Sequence, residues 1–146
     1  MDNRMRVQER ANFYKERMVG KRYRHFKGGI YVVTDIAVHS ETEGIMVVYK
    51  SFNEPTLTWV RPFEMFISEV DKDKYPDIKQ EMRFECLEKE VYYEDYRLKV
   101  VINQFGKYDV YDNKYGGKIT HKNISKEQAD DRIQHILSVR NRRKNK

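Results

Sequence analysis

The chain has 146 residues, 39% of them hydrophobic and 36% charged, with a formal net charge of +6. That length holds one compact domain or two small modules, and 11 Tyr, 7 Phe and 1 Trp supply the apolar bodies a disordered chain lacks. The single cysteine, Cys86, excludes an intramolecular disulfide and a multi-Cys zinc site. No apolar run is long enough for a membrane span and the first residues lack a leader's apolar core, which predicts a soluble, cytoplasmic protein.

Charge is uneven along the chain. Residues 1–28 carry nine Lys/Arg against three Asp/Glu, residues 125–146 carry seven against three, and the middle is mildly acidic. Basic ends of this kind are either an electrostatic footprint for a polyanion or solubilising surface.

In chain order, the spacing predicts a helix from Asn3 to Val19, with Val7, Ala11, Tyr14 and Met18 on one face and Gly20 at its C-cap. From Lys21 the period changes to two. A short strand covers Tyr23 to Phe26, Lys27-Gly28-Gly29 turns, and Ile30 to His39 alternates. Ser40 to Gly44 breaks the run, Ile45 to Phe52 resumes it, and Thr56 to Val60 forms a further strand ended by Arg61-Pro62. Phe63, Met65 and Phe66 form a helical turn, and Asp71 to Asp77 is the best candidate linker. A strand near Met82 to Leu87 follows. A second β unit then runs Arg97 to Asn103, Tyr108 to Asp112 and Lys118 to His121. The last helix starts at a capping box of Ser125 and Gln128, with Ile124 and Ala129 as its staple and Ala129, Ile133, Ile136, Leu137 and Arg140 as its stripe.

Four blocks within this pattern carry a resemblance: Tyr23-Arg24-His25-Phe26-Lys27-Gly28, Ala37-Val38-His39-Ser40-Glu41-Thr42, Val47-Val48-Tyr49 and Trp59-Val60-Arg61-Pro62-Phe63-Glu64-Met65-Phe66. In that order and spacing they resemble a small bacterial and phage family known only as a domain of unknown function. The resemblance covers about residues 20–87 and implies an SH3-like barrel; it transfers no activity. The expected architecture is mainly β with flanking helices (α+β): an N-terminal helix (1–19), an SH3-like small barrel (20–87), an antiparallel β unit with a C-terminal helix (88–139) and a basic tail (140–146).

The polar residues of these blocks, Arg24, His25, Lys27, His39, Ser40, Glu41, Thr42, Tyr49, Trp59 and Arg61, fall near strand ends and turns. Small barrels bind ligands at such a rim. Arginine forks a phosphate or carboxylate and an aromatic ring stacks a base, so an anionic, nucleotide-like small molecule fits. Each residue also has a plainer reading: Trp59 as core, Arg61 as a barrel-closing partner of Glu41 or Glu64, His25 as a packed strand residue, Ser40 and Thr42 as turn formers.

Enzymatic signatures are missing. His39-Ser40-Glu41 has the H-x-E form of zinc deaminases without their P-C-x-x-C partner, and there is neither a Walker A loop nor a G-x-G-x-x-G. Cys86 reads as a small buried hydrophobe, and pairs such as Glu94/Asp95 and Asp130/Asp131 as solvated surface. The sequence therefore points to no catalytic residue, metal or cofactor and leans away from an enzyme.

Three functions compete. The first is a non-enzymatic module, of a phage-type sequestering or regulatory kind, that binds a nucleotide-like anion at the barrel rim. The second is a nucleic-acid-binding protein using Arg4, Arg6, Arg10, Arg17, Arg140, Arg142, Arg143 and Lys144. The third is a protein-interaction module, for a host partner or a second copy, anchored by Val91, Tyr92, Tyr93, Tyr108, Tyr111 and Tyr115.

Overall fold

The computed structural model describes residues 3–144, with the side chains of 6–143. It divides into two compact units, Met1–Glu88 and Lys89–Lys146. Both are built on antiparallel sheets, and three α-helices flank them, so the protein is mainly β within the α+β class.

The first unit opens with α1 (Asn3–Met18), followed by β1 (Arg22–His25), β2 (Ile30–Val38), β3 (Ile45–Ser51), β4 (Thr58–Pro62), α2 (Phe63–Phe66) and β5 (Phe84–Cys86). Its strand order is β4-β3-β2-β1-β5. Four strands form a meander, and the chain then returns to pair β5 with β1 in the register Tyr23↔Cys86 and His25↔Phe84. In a flat sheet of this order the edges β4 and β5 would lie about 19 Å apart, at roughly 4.8 Å per strand. Here the guanidinium of Arg61 on β4 stands 5.6 Å from the ring centre of Phe84 on β5. The sheet is therefore strongly curled, and its concave face holds the core.

That core is aromatic. Phe66 stacks on Phe84 at 4.1 Å, and Tyr23 and Tyr49 meet Phe66 edge-on. Tyr14 of α1 stacks on Phe63 at 4.1 Å, and Ala11 and Met18 of the predicted stripe are buried. Gly20 closes the helix with φ +86, a value open to glycine without strain.

Three local expectations are corrected. The alternation in β2 does not run unbroken: Val33 and Ile36 are both buried because a bulge at Thr34 shifts the register by one residue, and Thr34 Oγ1 turns to donate to the Val48 carbonyl. The fourth strand lies two residues later than expected and includes Pro62, opposite Met46. An edge strand tolerates this, since one side of its backbone has no ladder to serve. The charged stretch from Asp71 to Asp77 is a loop internal to the first unit; the division falls after Glu88.

The second unit comprises β6 (Glu90–Glu94), β7 (Leu98–Ile102), β8 (Tyr108–Asp112), a 3-10 turn (Asn113–Tyr115), β9 (Lys118–Ile124) and α3 (Lys126–Lys144), with sheet order β6-β7-β8-β9. The capping box forms as its residues suggest: Ser125 Oγ accepts from the Gln128 amide at 3.1 Å, and Gln128 Oε1 accepts from the Ser125 amide at 2.9 Å. Such a cap contributes about 1 kcal/mol. Ala129, Ile133 and Ile136 then pack on Leu98, Val100 and Val110, with Ile124 and Leu137 beside them.

The strand β6 was not anticipated, and α3 continues to Lys144, so residues 140–144 are helix rather than tail. Two carboxylates hold this unit together, and neither is solvated surface. Asp112 is fully buried, 3.2 Å from Arg97 Nε and 3.5 Å from the Arg132 guanidinium, and accepts from the Lys114 amide. Asp95 accepts from the Tyr93 hydroxyl at 2.6 Å, the amides of Arg97 and Leu98 at 2.8 Å each, and Arg140 at 2.8 Å.

Burial pushes both carboxyls up, but their hydrogen bonds and arginine partners outweigh it and hold them below the ordinary carboxylate range. A depressed folded value contributes stability above the unfolded carboxyl's titration near pH 4, and that stability is lost as pH falls through the folded value. The urea midpoint should thus fall between pH 5 and pH 3. Asp112→Asn, which leaves two arginines facing a neutral group, should cost on the order of 3 kcal/mol at pH 7 and flatten that acid dependence; both are read from urea titrations followed by circular dichroism.

Candidate functional site

The ten rim residues predicted from the sequence fall into separate places. His25, Lys27, Tyr49, Trp59 and Arg61 gather at the mouth of the curled sheet. His39, Ser40, Glu41 and Thr42 lie past Val38, at the end of β2 away from the turn that carries Lys27. Arg24 is exposed and, by the alternation of β1, points away from the face that carries Tyr23 and His25.

The distant group is a self-contained turn. His39 Nδ1 accepts from the amides of Glu41 and Thr42 at 3.2 Å each, and Thr42 Oγ1 accepts from the Gly44 amide at 3.2 Å. These side chains satisfy the backbone where Glu43 takes a left-handed φ of +60. A cavity of about 210 Å³ lies beside it, lined by Val7, Gln8, Val38, His39, Ser40 and Glu43.

The mouth group is built on β4, β1 and β5. Cross-strand partners share a face, so Trp59 opposite Tyr49 and Arg61 opposite Val47 both lie on the concave side. Trp59 is not core: it is 49% exposed, roughly 7 Å along the strand from Arg61. Arg61 pairs with neither Glu41 nor Glu64; its Nε donates to the Tyr49 hydroxyl at 3.4 Å. His25 meets Phe84 edge-on at 4.9 Å, so His25 and Arg61 rest against the same ring. Tyr31 and Tyr49 also meet Phe84 edge-on, at 5.9 and 5.6 Å. The Lys27 ammonium stands 5.2 Å from the ring centre of Tyr75 and 5.7 Å from that of Phe26.

Arg83, Phe84 and Tyr31 were missed as site residues. Arg83 directly precedes β5, and an arginine leading into an aromatic strand is the one signal that could have marked it. Burial lowers the affinity of His25 for a proton, and the charges of Arg61, Arg83 and Lys27 lower it further. Its Nδ1 accepts from the Lys27 amide at 3.1 Å, which places the neutral ring's proton on Nε2. The mouth thus has an aromatic floor, Phe84, under Arg61 and His25, with Lys27 beside Tyr75 and Phe26.

The basic residues of the nucleic-acid reading are dispersed. Arg6 and Arg10 are exposed on α1, while Arg17 lies 3.6 Å over Phe13 and donates to its carbonyl. Arg140 is held by Asp95 and lies 4.2 Å over Tyr96; Arg142 and Arg143 are exposed. The side chains of Arg4 and Lys144 lie outside the described residues. Of the aromatic anchors, Tyr92 donates to Asp130 at 2.6 Å, Tyr93 to Asp95 at 2.6 Å, and Tyr108 packs on the core of the second unit, leaving Val91 and Tyr115 the more exposed. Among the described residues no cluster of His, Cys, Asp or Glu is placed to hold a metal, and no helix is long and apolar enough to cross a membrane.

Residues 21–86 match the family described as "Protein of unknown function (DUF1653)". The expected resemblance to a domain-of-unknown-function family over about residues 20–87 is therefore borne out. The matched segment includes the whole mouth group. No curated protein and no solved structure matches the chain.

The electrostatics of the mouth are measurable directly. A histidine whose folded value lies below its unfolded one binds fewer protons when folded, so between the two values stability falls as pH is lowered. In NMR titration, the His25 ring should titrate below the ordinary 6.5, and Arg61→Gln, by removing one cation, should move it upward toward that value. A midpoint at or above 6.5 in the unaltered protein would contradict this arrangement.

Proposed function

We propose that the first unit is a non-enzymatic binding module for an anionic, nucleotide-like small molecule, held at the mouth of an SH3-like barrel. The observation that carries this reading is that Arg61 and His25 rest on one ring, Phe84, with Trp59 exposed on the strand that bears Arg61. Like charges gathered with neutral partners raise one another's energy, and an anion relieves that repulsion. Trp59 supplies exposed flat apolar surface on the strand that bears Arg61, which suits a heterocycle joined to a phosphate. Recognition of this kind uses guanidinium forks and stacking and requires no nucleophile or general base.

Trp59 is the chain's single tryptophan and stands at the site, so its fluorescence reports occupancy. Titration with mononucleotides should give a saturable change at both low and high salt. Arg61→Gln should weaken binding about tenfold or more while the melting temperature moves by only about 2 °C, since its long bond to Tyr49 contributes little to stability. A response to DNA or RNA alone, abolished by salt, would replace this reading with a nucleic-acid interface. A large fall in melting temperature would make Arg61 a barrel-closing residue instead.

A further inference from the structure

We propose that the free edge of β4 docks a second copy of this chain, the two β4 strands pairing antiparallel about Trp59. This goes beyond the ligand-binding reading and does not depend on it.

Only one side of the β4 backbone is used. The Phe52 amide donates to the Ile30 carbonyl at 2.8 Å, which makes Ser51 and Tyr31 a non-hydrogen-bonded pair between β3 and β2. Alternation along β3 then turns the amides and carbonyls of Tyr49 and Val47 toward β4, where they serve Trp59 and Arg61. Thr58 and Val60 therefore point their N–H and C=O groups outward. Pro62, which has no N–H to leave unpaired, falls on the same side. β4 ends the strand order, and among the described residues no backbone hydrogen bond reaches Thr58 or Val60 from outside the sheet's own ladder.

The side chains at this edge are apolar on both faces. Trp59 lies on the concave face, and Val60, 59% exposed, lies by alternation on the other. Leu57, directly before the strand, and Met65, just after it, are exposed as well. A ligand or helix laid on one face covers one set only, whereas an added strand covers both. The remaining edges are guarded by charge or by shortness. β6 carries Glu90 and Glu94, β9 carries Lys118 and Lys122, and β5 has three residues with Glu85 at its centre. From Thr56 to Val60 there is no charged residue.

The occupant is a second copy because the edge complements itself. With two copies antiparallel, Thr58 of each meets Val60 of the other, and each such pair exchanges two hydrogen bonds. Trp59 then faces the partner's Trp59 in the intervening non-hydrogen-bonded pair, where side chains come closest and aromatic pairs stabilise a sheet. Residues 1–88 carry 15 Lys/Arg and 15 Asp/Glu, so two first units meet without net repulsion; the chain's +6 lies wholly in residues 89–146. The pairing is two-fold symmetric and closes at two copies, since each free edge occupies the other. It brings two mouths side by side, because Trp59 stands at each.

The test is the mass of the full chain by size-exclusion chromatography with light scattering, from about 1 to about 500 µM. A dimer of twice 17.7 kDa should form within that range. Val60→Lys, which sets a charge on the edge, should weaken it about tenfold or more while the melting temperature moves by only about 2 °C. Cysteines read the register, with the unaltered chain controlling for Cys86. Under oxidised glutathione, Trp59→Cys should link to its own copy, since partners in a non-hydrogen-bonded pair lie about 4.5 Å apart at Cα; Val60→Cys, which opposes Thr58, should not. A monomer at every concentration overturns the proposal and leaves the edge to a strand of another protein. A dimer that Val60→Lys leaves intact, or a Trp59→Cys chain that links no faster than Val60→Cys, overturns it equally.

Discussion

The first unit depends on one packed ring. Phe84 stacks on Phe66 and is met edge-on by His25, Tyr31 and Tyr49, while Arg61 stands over it. Large aromatic rings bury much area and constrain their neighbours to a few geometries. Because these partners come from β1, β2, β3, α2 and β4, the sheet curls to meet β5. The arrangement that forms the core also brings cations from separate segments to one lip. Core and candidate site are two sides of the same ring.

Arginines of the two units meet different partners. In the second, Arg97 and Arg132 surround Asp112 and Arg140 reaches Asp95, so charge is matched inside the fold. Removing water from an ion pair is costly and is offset only where further hydrogen bonds complete it, as the amides of Lys114, Arg97 and Leu98 do here. In the first, Arg61 meets a phenol and the Arg83 Nε meets nothing.

Much of the fold was legible because it rests on local rules. Period-two runs located β1 to β3, the Ser125–Gln128 box located α3, and Ala129, Ile133 and Ile136 marked its buried face. What escaped depends on contacts distant in sequence or on one-residue irregularities. The Thr34 bulge reverses the faces of β2 without altering its composition. Asp95 and Asp112 read as ordinary polar residues until arginines 45 and 15 or 20 positions away close on them. The site was legible in half. Trp59, Arg61 and His25 converge, but His39 and Thr42, equally polar and equally placed at a strand end, bond their own turn. A sequence shows which side chains can bind; it does not show which are already occupied.

The pairing of β5 with β1 joins residues about sixty positions apart, as Tyr23 opposite Cys86 shows, while the other pairings of that sheet are between neighbours in sequence. Closing so long a loop must be met by lost chain entropy before any contact rewards it, so this step comes late in folding. A chain with only the meander would retain Trp59 and Arg61 together on β4 yet have no ring beneath them. The lip is therefore assembled by the slowest contact in its unit, and occupancy by a ligand would draw partly folded chains over that last barrier by mass action.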